Sequence, residues 1–245
     1  MGRRVLIGLA VVLIAGAIGL AFLARRGNDE RDIVAHVVSP PAPELERVED
    51  LAARVPAGRS VALRARPDGK VLATVLARTE FGSPQTLAVA FKKGDWIAVR
   101  SPALGNRRVG WVHMRPLRLV RRPVRLEVDL SRRVLLVREE SRVLRKISVA
   151  TGAADTPTPA GRFYVTDKLP GAEFGAYYGC CILALSGRQP NLPEGWSGGD
   201  RLAIHGSLTP TWGEAVSNGC LHADEGDLRY LMKTVPLGTA VRIHA

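Results

Sequence analysis

The chain has 245 residues, of which 46% are apolar, enough to bury real cores and to exclude wholesale disorder. Aromatic residues make up only 5% while Gly (25) and Pro (16) are frequent, a balance that suits strands and turns and predicts a mainly β protein. The formal net charge of +12 comes mostly from Arg scattered along the chain, with no basic stripe interleaved with aromatics, which argues against a nucleic-acid binder and fits an anionic lipid surface or acidic wall polymers.

Residues 5–23, VLIGLAVVLIAGAIGLAFL, carry no charge. A helix of that length just crosses a bilayer core of about 30 Å at about 1.5 Å per residue. Arg3 and Arg4 precede the run and Arg25 and Arg26 follow it, so local basic residues leave its orientation open. The run is longer than a signal-peptide core, its best small-residue site (Gly19-Leu20-Ala21) lies inside it, and no Cys follows that would carry lipid. Residues 1–26 are therefore read as an uncleaved transmembrane anchor, with the remainder outside the cytoplasm at the cell membrane. Residues 27–58 are polar and broken by Ser39-Pro40-Pro41-Ala42-Pro43; they read as a flexible linker with room for a short helix at ELERVEDLAARV.

Over residues 59–120, VALRA, VLATVLA, QTLAVAF, DWIAVR and VGWVHM predict five short strands, separated by turns such as Pro67-Asp68-Gly69 and Lys93-Gly94-Asp95, and together a small closed barrel. GDWIAVR followed by GWVHMRPL resembles the closing strands of bacterial SH3-like domains, which often accompany cell-wall enzymes; Trp96 and Trp111 could line a wall-binding groove, but barrel packing is the favoured reading of both. From residue 121 to 245 the pattern changes. LEVDL, VLLV and VLRKISVA alternate as an antiparallel meander; GRFYVT, CCILAL, RLAIH and TAVRIHA add strands. Leu228, Leu231, Met232 and Val235 fall at helical spacing, with Asp224 as N-cap and Pro236 and Gly238 as stop signals. Residues 167–201, rich in Gly and carrying Tyr177, Tyr178 and Trp196, read as a long irregular flap over a site.

Chemistry concentrates in IHGSLTPTWGEAVSNGCLHADEGDL, residues 204–228. A thiol attacks as thiolate, so a catalytic Cys needs a base and a field that favours the anion. His205 is a base within reach of Cys220 if the Gly- and Ser-rich loop folds back. Gly219 permits a sharp turn before Cys220, and the N–H groups of residues 218–220 are placed to form an oxyanion nest. Ser217 reads equally as a donor or as a turn former. Cys180 and Cys181 are expected to be small buried residues of a strand, since a bond between neighbours is strained. A metal site built from these Cys and His residues lacks supporting spacing, so none is expected.

His-Gly at 205–206, Ser-x-Gly-Cys at 217–220, Thr-Gly at 151–152 and TPTPAGRF at 156–163 resemble the signature of L,D-transpeptidases of the YkuD type, over residues 123–245. The resemblance implies a β-rich, sandwich-like catalytic domain with one or two short helices, acting without cofactor on peptidoglycan stem peptides. Cys220 is then the nucleophile, His205 the base, and the carbonyl of Gly206 or Ser207 the third member. Gly219, Asn218 and Gly206 support the oxyanion and backbone geometry, with Ser217, Ser207, Tyr178 and His222 as substrate contacts. The implied reaction is a 3→3 cross-link through a thioester. Asn218 and His222 stand where many members have His and Arg. Rival readings are an L,D-carboxypeptidase, a non-catalytic wall-binding scaffold, and an NlpC/P60-like peptidase, in which the Cys precedes the His.

Overall fold

A computed structural model describes residues 44–245. The expected membrane anchor over residues 1–26 and most of the expected linker lie outside the described residues. Among the described residues no helix is long and apolar enough to cross a membrane.

The first half is a sheet built from β1 (Glu46–Arg47), β2 (Leu51–Arg54), β3 (Ser60–Arg64), β4 (Val71–Leu76), β5 (Thr86–Lys93), β6 (Trp96–Arg100), β7 (Val109–His113) and β8 (Arg118–Arg121). Its order is β4-β3-β7-β6-β5-β2-β8, with β1 also on β5. The five expected strands are present, but two expectations fail. The ladder runs from β4 to β8 without closing into a ring. The helix expected at ELERVEDLAARV is instead two strands, and LAAR pairs on both edges, with β5 and with β8. Helix-favouring Ala and Arg lose here to pairing and to the complete burial of Ala52 and Ala53. Alternation along β6 and β7 sends Ile97, Val99 and Val112 into the core and leaves Trp96 and Trp111 half-buried on the other face, so neither Trp is core packing.

The second half comprises β9 (Val124–Asp129), β10 (Val134–Glu139), β11 (Arg142–Ser148), β12 (Thr151–Gly152), β13 (Gly161–Pro170), β14 (Cys181–Arg188), β15 (Arg201–His205), β16 (Ala215–Ser217), β17 (Leu221–His222) and β18 (Ala240–His244), with α1 (Glu225–Thr234) between β17 and β18. The main order is β11-β10-β9-β18-β13-β14-β15-β17. β13 turns the corner: residues 161–164 pair with β18, and from Val165 the strand pairs with β14 through an irregularity between Val165 and Asp167. A bulge bends a strand and raises its twist. The two arms of the sheet consequently close on one core, in which Leu126, Leu135 and Ile147 meet Leu183, Ile204 and Leu221, sealed by Leu228 and Leu231 of α1. This is a sandwich with one α-helix, capped as expected by the Asp224 carboxylate on the Gly226 N–H (2.7 Å).

The flap expected over 167–201 is shorter. Residues 167–170 and 181–188 are paired strands, leaving irregular only the turn at 171–180 and the loop at 189–200. The two halves share side chains: Tyr164 of β13, fully buried, belongs to the core of the first sheet, and the Asn106 amide exchanges two hydrogen bonds with the Arg188 backbone (2.7 and 2.8 Å). Tyr164→Ala is expected to cost about 3–5 kcal/mol in chemical denaturation, as for other large aromatic truncations. Tyr164→Phe, whose hydroxyl has no partner among the described residues, should stay within about 1 kcal/mol.

Candidate functional site

His205 ends β15 and His222 ends β17, at paired positions of two parallel strands, so their rings lie side by side with centroids 4.7 Å apart. Both are almost fully buried. Cys220, half-buried and just before β17, shares with them a small cavity of about 70 Å3, also lined by Asn218, Tyr177, Tyr178 and Trp196. The sequence thus brings Cys220, His205, His222, Asn218 and Tyr178 together.

The imidazole of His205 has a defined tautomer. Its Nδ1 lies 2.7 Å from the Gly206 carbonyl, and a carbonyl only accepts, so Nδ1 carries the hydrogen and Nε2 keeps its lone pair. Burial pulls the His205 pKa down to about 3, helped by His222 and opposed by the Gly206 bond. Burial also lowers the His222 pKa. Its Nδ1 has no partner among the described residues, while its Nε2 faces the Tyr177 hydroxyl at 3.5 Å. Burial pushes the Cys220 thiol up to about 11, opposed by the Ala203 backbone. The resting pair is therefore neutral thiol and neutral imidazole. The α1 N-terminus, with Glu225 and Asp227 in its first turn, does not reverse that balance. The Sγ lies 3.8 Å from the Arg201 carbonyl, and among the described residues it makes no hydrogen bond to His205.

The loop carrying Cys220 is fixed from inside. The Ser217 hydroxyl donates to the Cys220 carbonyl (2.6 Å) and accepts from the Gly219 N–H (3.1 Å). Ser217 therefore braces the turn, the second of its two expected roles, and the Gly219 N–H is taken by its hydroxyl. Among the described residues the Cys220 N–H meets no acceptor, so the expected nest narrows to that donor and Asn218. Ser207 lies outside the cavity, where its hydroxyl faces the Thr209 N–H at 3.4 Å.

Three residues that sequence reasoning missed hold this loop. Thr156 and Thr158 donate to the Ser217 and Gly219 carbonyls, each at 2.9 Å. The Gln189 amide contacts the carbonyls of Thr156, Pro157 and Asn218 at 3.1, 3.1 and 3.2 Å. The TPTPAG signal was legible as a motif but its role as a brace was not, and Gln189 sits in no motif. Gly219 has φ +106°, and a Cβ there would stand 2.1 Å from the Gln189 amide nitrogen. Gly206 is required by proximity: its N–H donates to the Tyr178 carbonyl (2.9 Å), and a Cβ would meet Gly179 Cα at 2.9 Å.

Residues 123–243 match the family model of the YkuD L,D-transpeptidase catalytic domain. They are a YkuD-type L,D-transpeptidase domain. The putative L,D-transpeptidase YkuD of Bacillus licheniformis is 34% identical over 124 residues, covering 49% of this chain and 66% of its own length. Its Bacillus subtilis counterpart is 32% identical over 125 residues, covering 50% and 66%. The chain thus spans just under two thirds of these relatives. Among solved structures, an L,D-transpeptidase from Mycobacterium smegmatis is similar at 17% identity, covering 65% of this chain and 93% of that one with a TM-score of 0.41. The E. faecium catalytic domain is 25% identical, covering 49% and 96% with a TM-score of 0.36.

Within the transpeptidase domain, Cys180 and Cys181 depart from expectation. They are joined to one another in a disulfide at the start of β14, which leaves Cys220 as the free thiol. Among the described residues no three His, Cys, Asp or Glu side chains cluster as metal ligands.

Gly219→Ala should disturb the transpeptidase domain twice, through the left-handed φ and through the clash with Gln189. We expect about 1–3 kcal/mol lost in thermal unfolding and at least about a tenfold drop in Cys220 alkylation by iodoacetamide. Wild-type values for both would overturn this account of the turn.

Proposed function

We propose that the chain is a peptidoglycan L,D-transpeptidase that joins stem peptides through 3→3 cross-links, with Cys220 as nucleophile and His205 as general base. The observation that carries this reading is the His205 tautomer: Nδ1–H is held by Gly206, so the basic Nε2 stands in the same cavity as the Cys220 thiol. The family of the domain supplies the substrate class.

Because burial keeps both groups neutral, thiolate and imidazolium do not wait preformed. Substrate binding excludes the remaining water and presents the carbonyl of the stem's third residue. Sγ then bonds to that carbon as its proton passes to His205 Nε2, and the Cys220 N–H faces the developing oxyanion. Collapse breaks the bond to the terminal D-alanine, whose nitrogen takes the proton from His205 and leaves a thioester. The side-chain amine of a second stem attacks the thioester, passes its proton to His205, and restores the thiol as the new amide forms. Asn218 and Tyr178 line the cavity and His222 stands beside the base, so these three contact substrate. The cavity of about 70 Å3 is too small for a peptide, and the 189–200 loop, which brings Trp196 to the cavity lining, opens to admit one.

The remainder of the reading follows the sequence. Residues 1–26 anchor the chain, the catalytic domain lies outside the cytoplasm, and residues 59–120 act as an SH3-like module that presents the half-buried Trp96 and Trp111 to the wall.

Two measurements test the chemistry. Incubated with a carbapenem, the protein should gain one covalent adduct by intact mass that Cys220→Ala abolishes; with a disaccharide tetrapeptide it should form dimer. Tripeptide alone would mean that water resolves the thioester, and no adduct would sink the nucleophile. For pH, a base that protonates only near about 3 and a thiol that ionises near about 11 leave the reactive neutral pair intact between. Acylation should hold level from about pH 4 to about pH 10 and fall at the acid end as His205 gains its proton. A rate limb near the ordinary His or Cys values would refute the neutral resting pair.

A further inference from the structure

A larger cavity, of about 400 Å3, lies between the two sheets and contains neither Cys220 nor His205. That volume is at the low end of the range of about 300–1,000 Å3 in which small organic ligands bind. Its lining brings together Arg47, Arg100, Arg125, Arg162 and Arg242 with only Glu49 and Glu127, an excess of three positive charges. Both carboxylates are engaged: Glu49 by Arg162 at 2.6 Å, and Glu127 by Arg138, which lies outside the cavity, at 2.7 Å. Among the described residues Arg100, Arg125 and Arg242 have no carboxylate within ion-pair distance.

The strand register sets Arg242 between two neighbours of opposite sign. Arg162 stands directly opposite it across β13 and β18, a like-charge pair that costs stability, while Glu127, opposite it across β9, is engaged by Arg138 at 2.7 Å. Burial lowers the Arg100 pKa and the charges of Arg162 and Arg47 lower it further, outweighing the opposing pull of Glu49, so its positive neighbours outnumber its negative one. Arg47 is held over the Phe91 ring at 5.2 Å rather than by an acid. Nothing in the transpeptidase mechanism uses these residues. A fold that sets five guanidinium groups around one concavity and gives only Arg162 a carboxylate partner there has the electrostatics of an anion site awaiting its ligand.

We propose that this cleft binds a phosphodiester-linked polymer. The planar guanidinium fork matches two oxygens of a phosphate group, and a phosphodiester keeps its charge at every working pH. An excess of three charges around a cavity of about 400 Å3 calls for several anions together, which a repeating chain supplies and a single ion does not. A narrow linear chain also enters a cleft between two sheets, whereas a flat lipid surface meets only its rim. The site would tether the enzyme to an anionic polymer while leaving the cavity at Cys220 open, and it stands whether or not the catalytic reading does.

The test uses the full chain, kept soluble with detergent on account of its apolar residues 5–23. It is titrated at low salt with poly(glycerol phosphate), with poly-γ-glutamate and with phosphatidylglycerol vesicles. Parallel titrations use R125Q/R242Q and the surface control R107Q/R108Q. We expect saturable binding of poly(glycerol phosphate), weakened at least about tenfold in R125Q/R242Q, changed less than about twofold in the control, and falling with added salt. Carbapenem acylation of Cys220 should be unchanged in R125Q/R242Q, which separates this site from the catalytic one. Equal weakening in the control would mean diffuse charge and overturn the pocket. Equal affinity for poly-γ-glutamate, or binding to vesicles alone, would overturn the phosphodiester assignment. The single variant R125Q repeats the test away from the Arg162–Arg242 pair, and undiminished binding there would also refute the proposal.

Discussion

Gln189 sits where three segments meet, and its side-chain amide touches all three. Its nitrogen faces the carbonyls of Thr156 and Pro157 in the TPTP loop and of Asn218 in the Cys220 loop, and its oxygen accepts from Asn191 in the loop that covers the site. Loops joining strands have no ladder of their own, so their backbone groups need such partners once buried. Thr156 and Thr158 complete the set from the same side. The position of Cys220 therefore follows from side-chain hydrogen bonds, not from the short strand that follows it, and the left-handed Gly219 is the backbone's accommodation to the Gln189 amide lying against it.

Burial then decides the electrostatics. The strands that carry His205 and His222 are covered on both faces, so each imidazole is held neutral, and the same surroundings hold the thiol protonated. Hydrogen bonds set orientation while desolvation sets charge. A site organised in this way holds its thiol and both imidazoles in their uncharged forms.

How much of this was legible depends on the range of the interaction responsible. Strands with apolar alternation, such as β3, β9 and β10, were readable because burial on one face repeats every second residue. α1 was readable from its spacing and its Asp224 cap. LAAR at 51–54 was not, because its strand character comes from neighbours on both sides rather than from its own composition. Within the site, His205 and Cys220 were legible through a motif. The two- and three-residue strands β12, β16 and β17 are too short to carry a period, and Gln189 acts across a distance in sequence that no local pattern records. The join between Cys180 and Cys181 was passed over because neighbouring thiols seldom pair, whereas the turn that leads into β14 brings them together.

That join bears on the fate of the third cysteine. With Cys180 and Cys181 bound to one another, every cysteine in the chain except Cys220 is already in its oxidised partnership. Exchange between a thiol and a disulfide runs through the thiolate, and a thiol with a pKa of about 11 exposes only roughly one thiolate in ten thousand at neutral pH. The two features protect each other: the paired sulfurs offer no loose thiol to trap Cys220, and Cys220 is too weakly ionised to unpick them. An enzyme so arranged can keep one reduced sulfur in an oxidising compartment without a dedicated reductase to maintain it.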